Sequence, residues 1–241
     1  MKISRTRCSR FAALSAALLS IPTTLIAQGE APPTAEEVLR LVRYSQAAEE
    51  QDFTGQIIPA LITLKRVPIA LTLSEKEVRF VFYEGNSRKN KPDQIVVLKL
   101  LKNRYELTEI TKGKSAPLPA ARYAERIRGT DITYEDLAMR FLYWPGPKHL
   151  GVERAKGGDA WKIRCTNPEK SGAYAVVDVW VSQRSGALMK LHGYNAAGKL
   201  VKTFEVSRVQ RYEGAWILEK MFVRTHGRRV TSTTLEVDPP R

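Results

Sequence analysis

Apolar residues recur along this chain in two rhythms. From Thr34 the spacing is helical. Val38, Leu41, Val42 and Ala48 fall on one face, with Glu36, Arg40, Arg43 and Glu50 largely elsewhere. Thr34 can cap such a helix, with Glu37 three residues on completing a capping box, and the helix is expected to run to about Gln51. From Gln56 the period changes to two. Val78, Phe80 and Phe82 alternate with Arg79, Val81 and Tyr83, while Val96, Leu98 and Leu100 share a face. Trp161, Ile163 and Cys165 repeat the pattern, as do Val177, Val179 and Val181, then Phe204 and Val206, Met221 and Val223, and Leu235 and Val237. Half-buried strands read this way. Turn signals separate the runs, among them Glu84-Gly85-Asn86, Lys156-Gly157-Gly158-Asp159 and Asn195-Ala196-Ala197-Gly198. From about Gly151 onward strand follows turn with no room for a crossover helix, which favours an antiparallel meander over βαβ units. The pattern supports ten or eleven strands.

A second helix interrupts the strands. Thr133 and Asp136 form another capping box, and Ile132 with Leu137 can staple it. Leu137, Phe141 and Trp144 follow at spacings of four and three, and Pro145-Gly146-Pro147 stops the helix. The expected class is mainly β with α: a curved antiparallel sheet with two amphipathic helices, able to enclose a small apolar ligand.

The N-terminus adds a compartment. Lys2, Arg5, Arg7 and Arg10 precede a largely apolar stretch, Phe11 to Ile26, that ends at Ala27 before Gln28-Gly29-Glu30. This is the order of a cleaved secretory signal peptide, residues 1–27, leaving about 214 residues, 28–241, as one domain. Cys8 lies before the apolar core, so no lipid anchor is expected, and only Cys165 remains, so the mature chain forms no internal disulfide. The formal charge of +14 falls by four, to +10, and is spread along the chain. A solvated basic surface is the expected meaning, with transient contact to a membrane surface open. Export argues against nucleic acid.

Catalytic chemistry is hard to assemble. His149, His192 and His226 are far apart in sequence, and no HExxH, GxSxG, phosphate-cradling glycine loop or paired-cysteine metal motif is present. Cys165 lies on the face of Trp161 and Ile163 and is expected to be a small core side chain. Asp131, Glu135 and Asp136 are accounted for as caps and charges at a helix start. No catalytic residue, metal or cofactor is expected.

One stretch is more specific. Arg128-Gly129-Thr130-Asp131-Ile132-Thr133-Tyr134-Glu135-Asp136-Leu137, continuing to Arg140-Phe141-Leu142-Tyr143-Trp144-Pro145, resembles the central segment of the LolA-like outer-membrane lipoprotein-sorting proteins. Gly186-Ala187-Leu188-Met189 and Gly193 to Leu200 resemble that group's later strands. The resemblance implies an incomplete antiparallel β-barrel of about eleven strands whose mouth is covered by helices. It implies a periplasmic, non-enzymatic carrier or chaperone that shields the acyl chains of lipoproteins or lipids on their way to the outer membrane. Its partners would be the acylated cargo and membrane transport proteins. The lining would comprise Val78, Phe80, Phe82, Val96, Leu98, Leu100, Ile163, Val177 and Val179. Leu137, Phe141 and Trp144 would sit on a lid helix from Thr133 to Trp144, and Leu41 on the first helix. Relatives of this fold that sense envelope signals offer an alternative, and a hydrolase or transferase hidden in the cavity a more distant one.

Overall fold

The computed structural model describes residues 32–45, 51–60, 65–74, 76–101, 105–169, 171–212 and 215–239. The export signal at 1–27, and Ala48 and Glu50 of the first helix, lie outside the described residues. Helix α1 is Ala35–Ser45, and α2 is Tyr134–Ala138. The strands are β1 Gln51–Pro59, β2 Val67–Leu73, β3 Glu77–Tyr83, β4 Pro92–Leu100, β5 Tyr105–Thr111, β6 Lys114–Pro117 and β7 Lys148–Ala155. They continue with β8 Gly158–Thr166, β9 Val176–Ser182, β10 Leu188–Tyr194, β11 Leu200–Tyr212, β12 Ala215–Thr225 and β13 Thr231–Val237.

All thirteen strands form one antiparallel sheet, ordered β6-β5-β4-β3-β2-β1-β13-β12-β11-β10-β9-β8-β7. Two meanders are therefore joined where the first strand pairs with the last. Gly55 of β1 sits at this seam, where any Cβ would lie 2.2 Å from the Glu236 carbonyl oxygen. The free edges, β6 and β7, are consecutive in sequence yet lie at opposite ends of the sheet. Twelve strand spacings of about 4.8 Å would separate them by roughly 58 Å if the sheet were flat. The connection 118–147 bridges them by running over the inner face of a curled, open sheet. We call it the strap.

Two apolar clusters fill the inner face. One combines Ala35, Val38, Leu39 and Val42 of α1 with Phe141, Leu142 and Trp144 of the strap and with Ile163, Cys165, Val177, Val179, Val181 and Leu191 of β8–β10. The other combines Leu118, Ile127, Ile132, Tyr134 and Ala138 of the strap with Ile57, Val67, Ile69, Val78, Phe82, Val96, Leu98 and Leu107 of β1–β5 and Val223 of β12. Half-buried Phe204 on β11 packs against both.

Three expectations are corrected. Among the described residues the sheet has thirteen strands rather than about eleven, because short β6 carries little alternation and β7 is exposed along most of its length. The first helix does not reach Gln51, which already opens β1. The second helix does not run from Thr133 to Trp144. It stops at Ala138, Met139 takes the left-handed conformation (φ 44), and a 3₁₀ turn, Arg140–Tyr143, follows. That break redirects the chain, so Leu137 packs on the second cluster while Phe141 and Trp144 enter the first. A continuous helix could not divide its apolar residues between both.

Candidate functional site

The residues expected to line one cavity are divided between two compartments. Val78, Phe82, Val96 and Leu98 are buried in the strap-side cluster, with Phe80 and Leu137 half-buried against it. Ile163, Val177, Val179, Phe141 and Trp144 are buried beneath α1. The side chain of Leu100 lies outside the described residues. Leu41 lies off this buried lining and is 49% exposed. Ala35, Val38, Leu39 and Val42 make the buried stripe at helical spacings, and Leu41, 100° per residue further round, falls on its flank. Leu39, fully buried, is the residue that sequence reading passed over.

Helix α1 begins as its sequence dictates. The Glu37 amide donates to Thr34 Oγ1 (3.3 Å), and the Thr34 amide donates to Glu37 Oε2 (2.8 Å). At the other end, Arg43 Nη1 donates to the Leu142 carbonyl (2.5 Å), and its guanidinium lies over the Tyr143 ring (5.7 Å). Arg43 also pairs with Glu36 on its own helix. It thus ties α1 to the strap across the mouth of the first compartment.

The strap itself is fastened through a polar belt between the compartments. Lys202 of β11 shares inward parity with Phe204 and Val206, and its buried Nζ donates to Asp136 Oδ2 (2.9 Å) and to the Asp131 carbonyl (2.5 Å). Asp136 Oδ2 also accepts from the Thr133 amide (2.8 Å), which together with the Asp136 amide to Thr133 Oγ1 bond makes the expected capping box. Tyr174 Oη donates to Asp136 Oδ1 (2.6 Å). Burial, then the neighbouring Asp136, hold the Tyr174 phenol well above its usual range. Its ring lies over Gly193, where an added Cβ would come within 2.6 Å. Asp131 accepts from Thr231 Oγ1 and, at 2.9 Å, from Thr233 Oγ1.

Glu135, fully buried, accepts from the Ala173 amide (2.7 Å) and stands 3.7 Å from Arg140 Nη1. Burial raises its carboxyl above the usual range despite the opposing Ala173 hydrogen bond and Arg140 charge. Asp136 caps the helix as expected, Glu135 lies in its first turn, Asp131 stands before the cap, and all three anchor the strap, each through different partners. Lys202 was legible from strand parity. Tyr174, in a loop, carried no such signal.

On the far side, the strap meets β4 and β5 in an open polar cleft of about 520 Å³ lined by Asp93, Gln94, Glu109, Thr111, Arg122, Arg128 and Tyr134. Tyr134 Oη donates to Glu109 Oε1 (2.6 Å), and Arg122 Nη1 pairs with Glu109 Oε2 (2.6 Å). Arg128 pairs with Asp93. Burial of Glu109 acts to raise its pKa, but hydrogen bonds from Arg122, Tyr134 and Gln94 outweigh it and the net shift is downward. The cleft is thus a seam of satisfied ion pairs.

Cys165 is fully buried, and burial, with a smaller push from Asp178, raises its thiol to about 12, as expected of a core side chain. His192 lies half-buried on the outer face of the sheet, its ring edge-on to Trp180 at 4.8 Å, while His149 is exposed on β7. Among the described residues, no helix is long and apolar enough to cross a membrane.

The fold is shared with solved structures. An outer membrane lipoprotein-sorting protein domain from Vibrio parahaemolyticus superposes with a TM-score of 0.68 at 17% identity, covering 86% of this chain and 92% of that one. A DUF1329 family protein from Desulfovibrio piger gives 0.65 at 16% identity, with the same coverage of each chain. A LolA superfamily protein from Nitrosomonas europaea gives 0.63 at 16% identity over 86% of this chain and 93% of that one. No curated protein sequence matches. A family model described as uncharacterized protein-like matches residues 113–240, just over half of the chain, from the end of β5 to the end of the sheet. The chain therefore belongs to that family, and its fold is the LolA-like one of the lipoprotein-sorting proteins.

Proposed function

We propose that residues 28–241 form one carrier domain that shields the acyl chains of lipoproteins or lipids in the periplasm, after removal of residues 1–27. The observation that carries this reading is the first compartment. Its floor and strap-side wall are apolar, and its cover is a short helix held by four apolar side chains and by Arg43. Each methylene leaving water gains about 0.8 kcal/mol, so a sixteen-carbon chain gains on the order of 12 kcal/mol. An acyl chain can replace the burial that α1 supplies, and α1 can return when cargo leaves. Transfer on this plan uses no covalent chemistry. The likeness to lipoprotein-sorting structures supports the same reading at the level of the fold.

The test is to purify the mature chain and examine it by native mass spectrometry with lipid extraction. Co-purified acylated ligand, or saturable binding of a fluorescent acyl probe, is expected. Protein that is free of lipid and ignores the probe would sink the carrier reading.

One feature favours the alternative of a protein-binding module. Edge strand β7 ends the sheet and exposes Leu150 (42%) and Val152 (54%), the signature of a site for strand addition. On this reading a Val152→Lys variant loses a captured envelope protein while keeping acyl-probe affinity.

A further inference from the structure

One buried side chain of the compartment beneath α1 carries a polar atom without a partner. Trp144 is 5% exposed and belongs to the same cluster as the buried face of α1, yet its indole Nε1 has no hydrogen-bond acceptor among the described residues. Two other buried polar atoms share that condition, and each has an accommodation. Glu135 Oε1 faces Arg140 at 3.7 Å, and Thr225 carries a hydroxyl free to rotate on a half-buried residue. Trp180, buried on the outer face, gives its indole N–H to Glu153 Oε2 at 2.9 Å. Trp144 has neither option. A buried donor without an acceptor costs more than a made hydrogen bond returns, and phenylalanine would fill apolar space there without that cost.

The position of Trp144 suggests what the N–H is for. It follows the 3₁₀ turn in extended conformation (φ −71, ψ 136) and precedes exposed Pro145 and Gly146. It therefore stands where the buried strap gives way to solvent, at the rim of the compartment. A hydrocarbon chain entering there offers no acceptor along its length. Its only acceptor is the carbonyl at its head, where an ester or amide joins it to glycerol, protein or sugar.

We propose that Trp144 Nε1 donates to the ester or amide carbonyl of an acylated ligand seated in the α1 compartment, so that the site reads the acyl linkage as well as the tail. This rests on the carrier reading above. It predicts selection of acyl over alkyl chains of equal length.

The experiment compares matched pyrene-labelled probes, one an acyl methyl ester and one the plain alkyl chain of equal length, on the mature chain and on Trp144→Phe. Wild type is expected to favour the ester. The variant should lose about two- to tenfold in affinity for the ester, the worth of one hydrogen bond, and nothing for the alkyl chain. Its melting temperature without ligand should be equal or higher. A second variant carries 3-benzothienylalanine at position 144, which replaces the N–H by sulfur at nearly constant shape and keeps the test decisive if phenylalanine packs poorly. Equal losses for both probes, or no loss for either, would overturn the role of Trp144 and leave the carrier reading standing. Wild type that binds neither probe would overturn both.

Discussion

Replacing Lys202 by methionine should be among the most damaging single changes in the molecule. The substitution keeps the length and apolar stem of the side chain but removes Nζ, and with it the bonds to Asp136 Oδ2 (2.9 Å) and the Asp131 carbonyl (2.5 Å). Asp136 is then left as a buried carboxylate facing Tyr174 and the Thr133 amide without its cation. Breaking one side of a buried pair costs about 3–5 kcal/mol, because the stranded charge has lost its compensation. At about 2–4 °C per kcal/mol for a domain of this size, the melting temperature should fall by roughly 6–20 °C. The double variant Lys202→Met, Asp136→Asn removes the stranded charge. Asparagine can still accept from the Thr133 amide and can donate to Tyr174 Oη. The double variant should therefore be more stable than Lys202→Met by about 2 kcal/mol, although it contains one more substitution. Urea denaturation of the three proteins measures this directly. A loss below about 1 kcal/mol in the single variant, or a double variant no better than the single, would refute the idea that a charged Lys202–Asp136 pair clamps the strap.

Glu135 should make stability fall as pH rises. Its folded pKa lies above the unfolded one, so the folded state holds the proton longer; the penalty is absent below the usual carboxylate range and grows as pH climbs through the folded value. Glu135→Gln, which keeps an acceptor for the Ala173 amide, should flatten that part of the pH–stability curve and match or exceed wild type at neutral pH in urea melts. The Cys165 thiol should resist iodoacetamide at pH 8 in the folded protein and react fully in urea, since burial raises it to about 12; rapid native labelling would contradict its place in the core. Phe141→Ala should cost about 3–5 kcal/mol by opening a cavity between α1 and β8–β10. Arg43→Ala should increase amide hydrogen exchange in α1 by about five- to tenfold, through loss of the bond to the Leu142 carbonyl, with strap amides unchanged.

Much of this molecule followed from local rules. Strand parity placed Val78, Phe82, Val96, Leu98, Ile163, Cys165, Val177 and Val179 inward, because a side-chain period of two leaves no choice once one face is apolar. Both capping boxes formed where Thr34 and Thr133 stand three residues before an acid. The same parity already held Lys202 inward, although a lysine at such a position reads as surface until its partners are known. What sequence could not decide was nonlocal. Pairing of β1 with β13 puts the edges β6 and β7 at opposite ends and forces the strap across the inner face. That crossing breaks the helix at Met139, divides one expected lining into two compartments, and brings Tyr174, Asp131 and Thr233 together from segments about 40 to 100 residues apart. Periodicity fixes which face each side chain takes, since that depends on neighbours along the chain. Which face meets which is settled by contacts across the sheet, and those exist only once the chain has closed on itself.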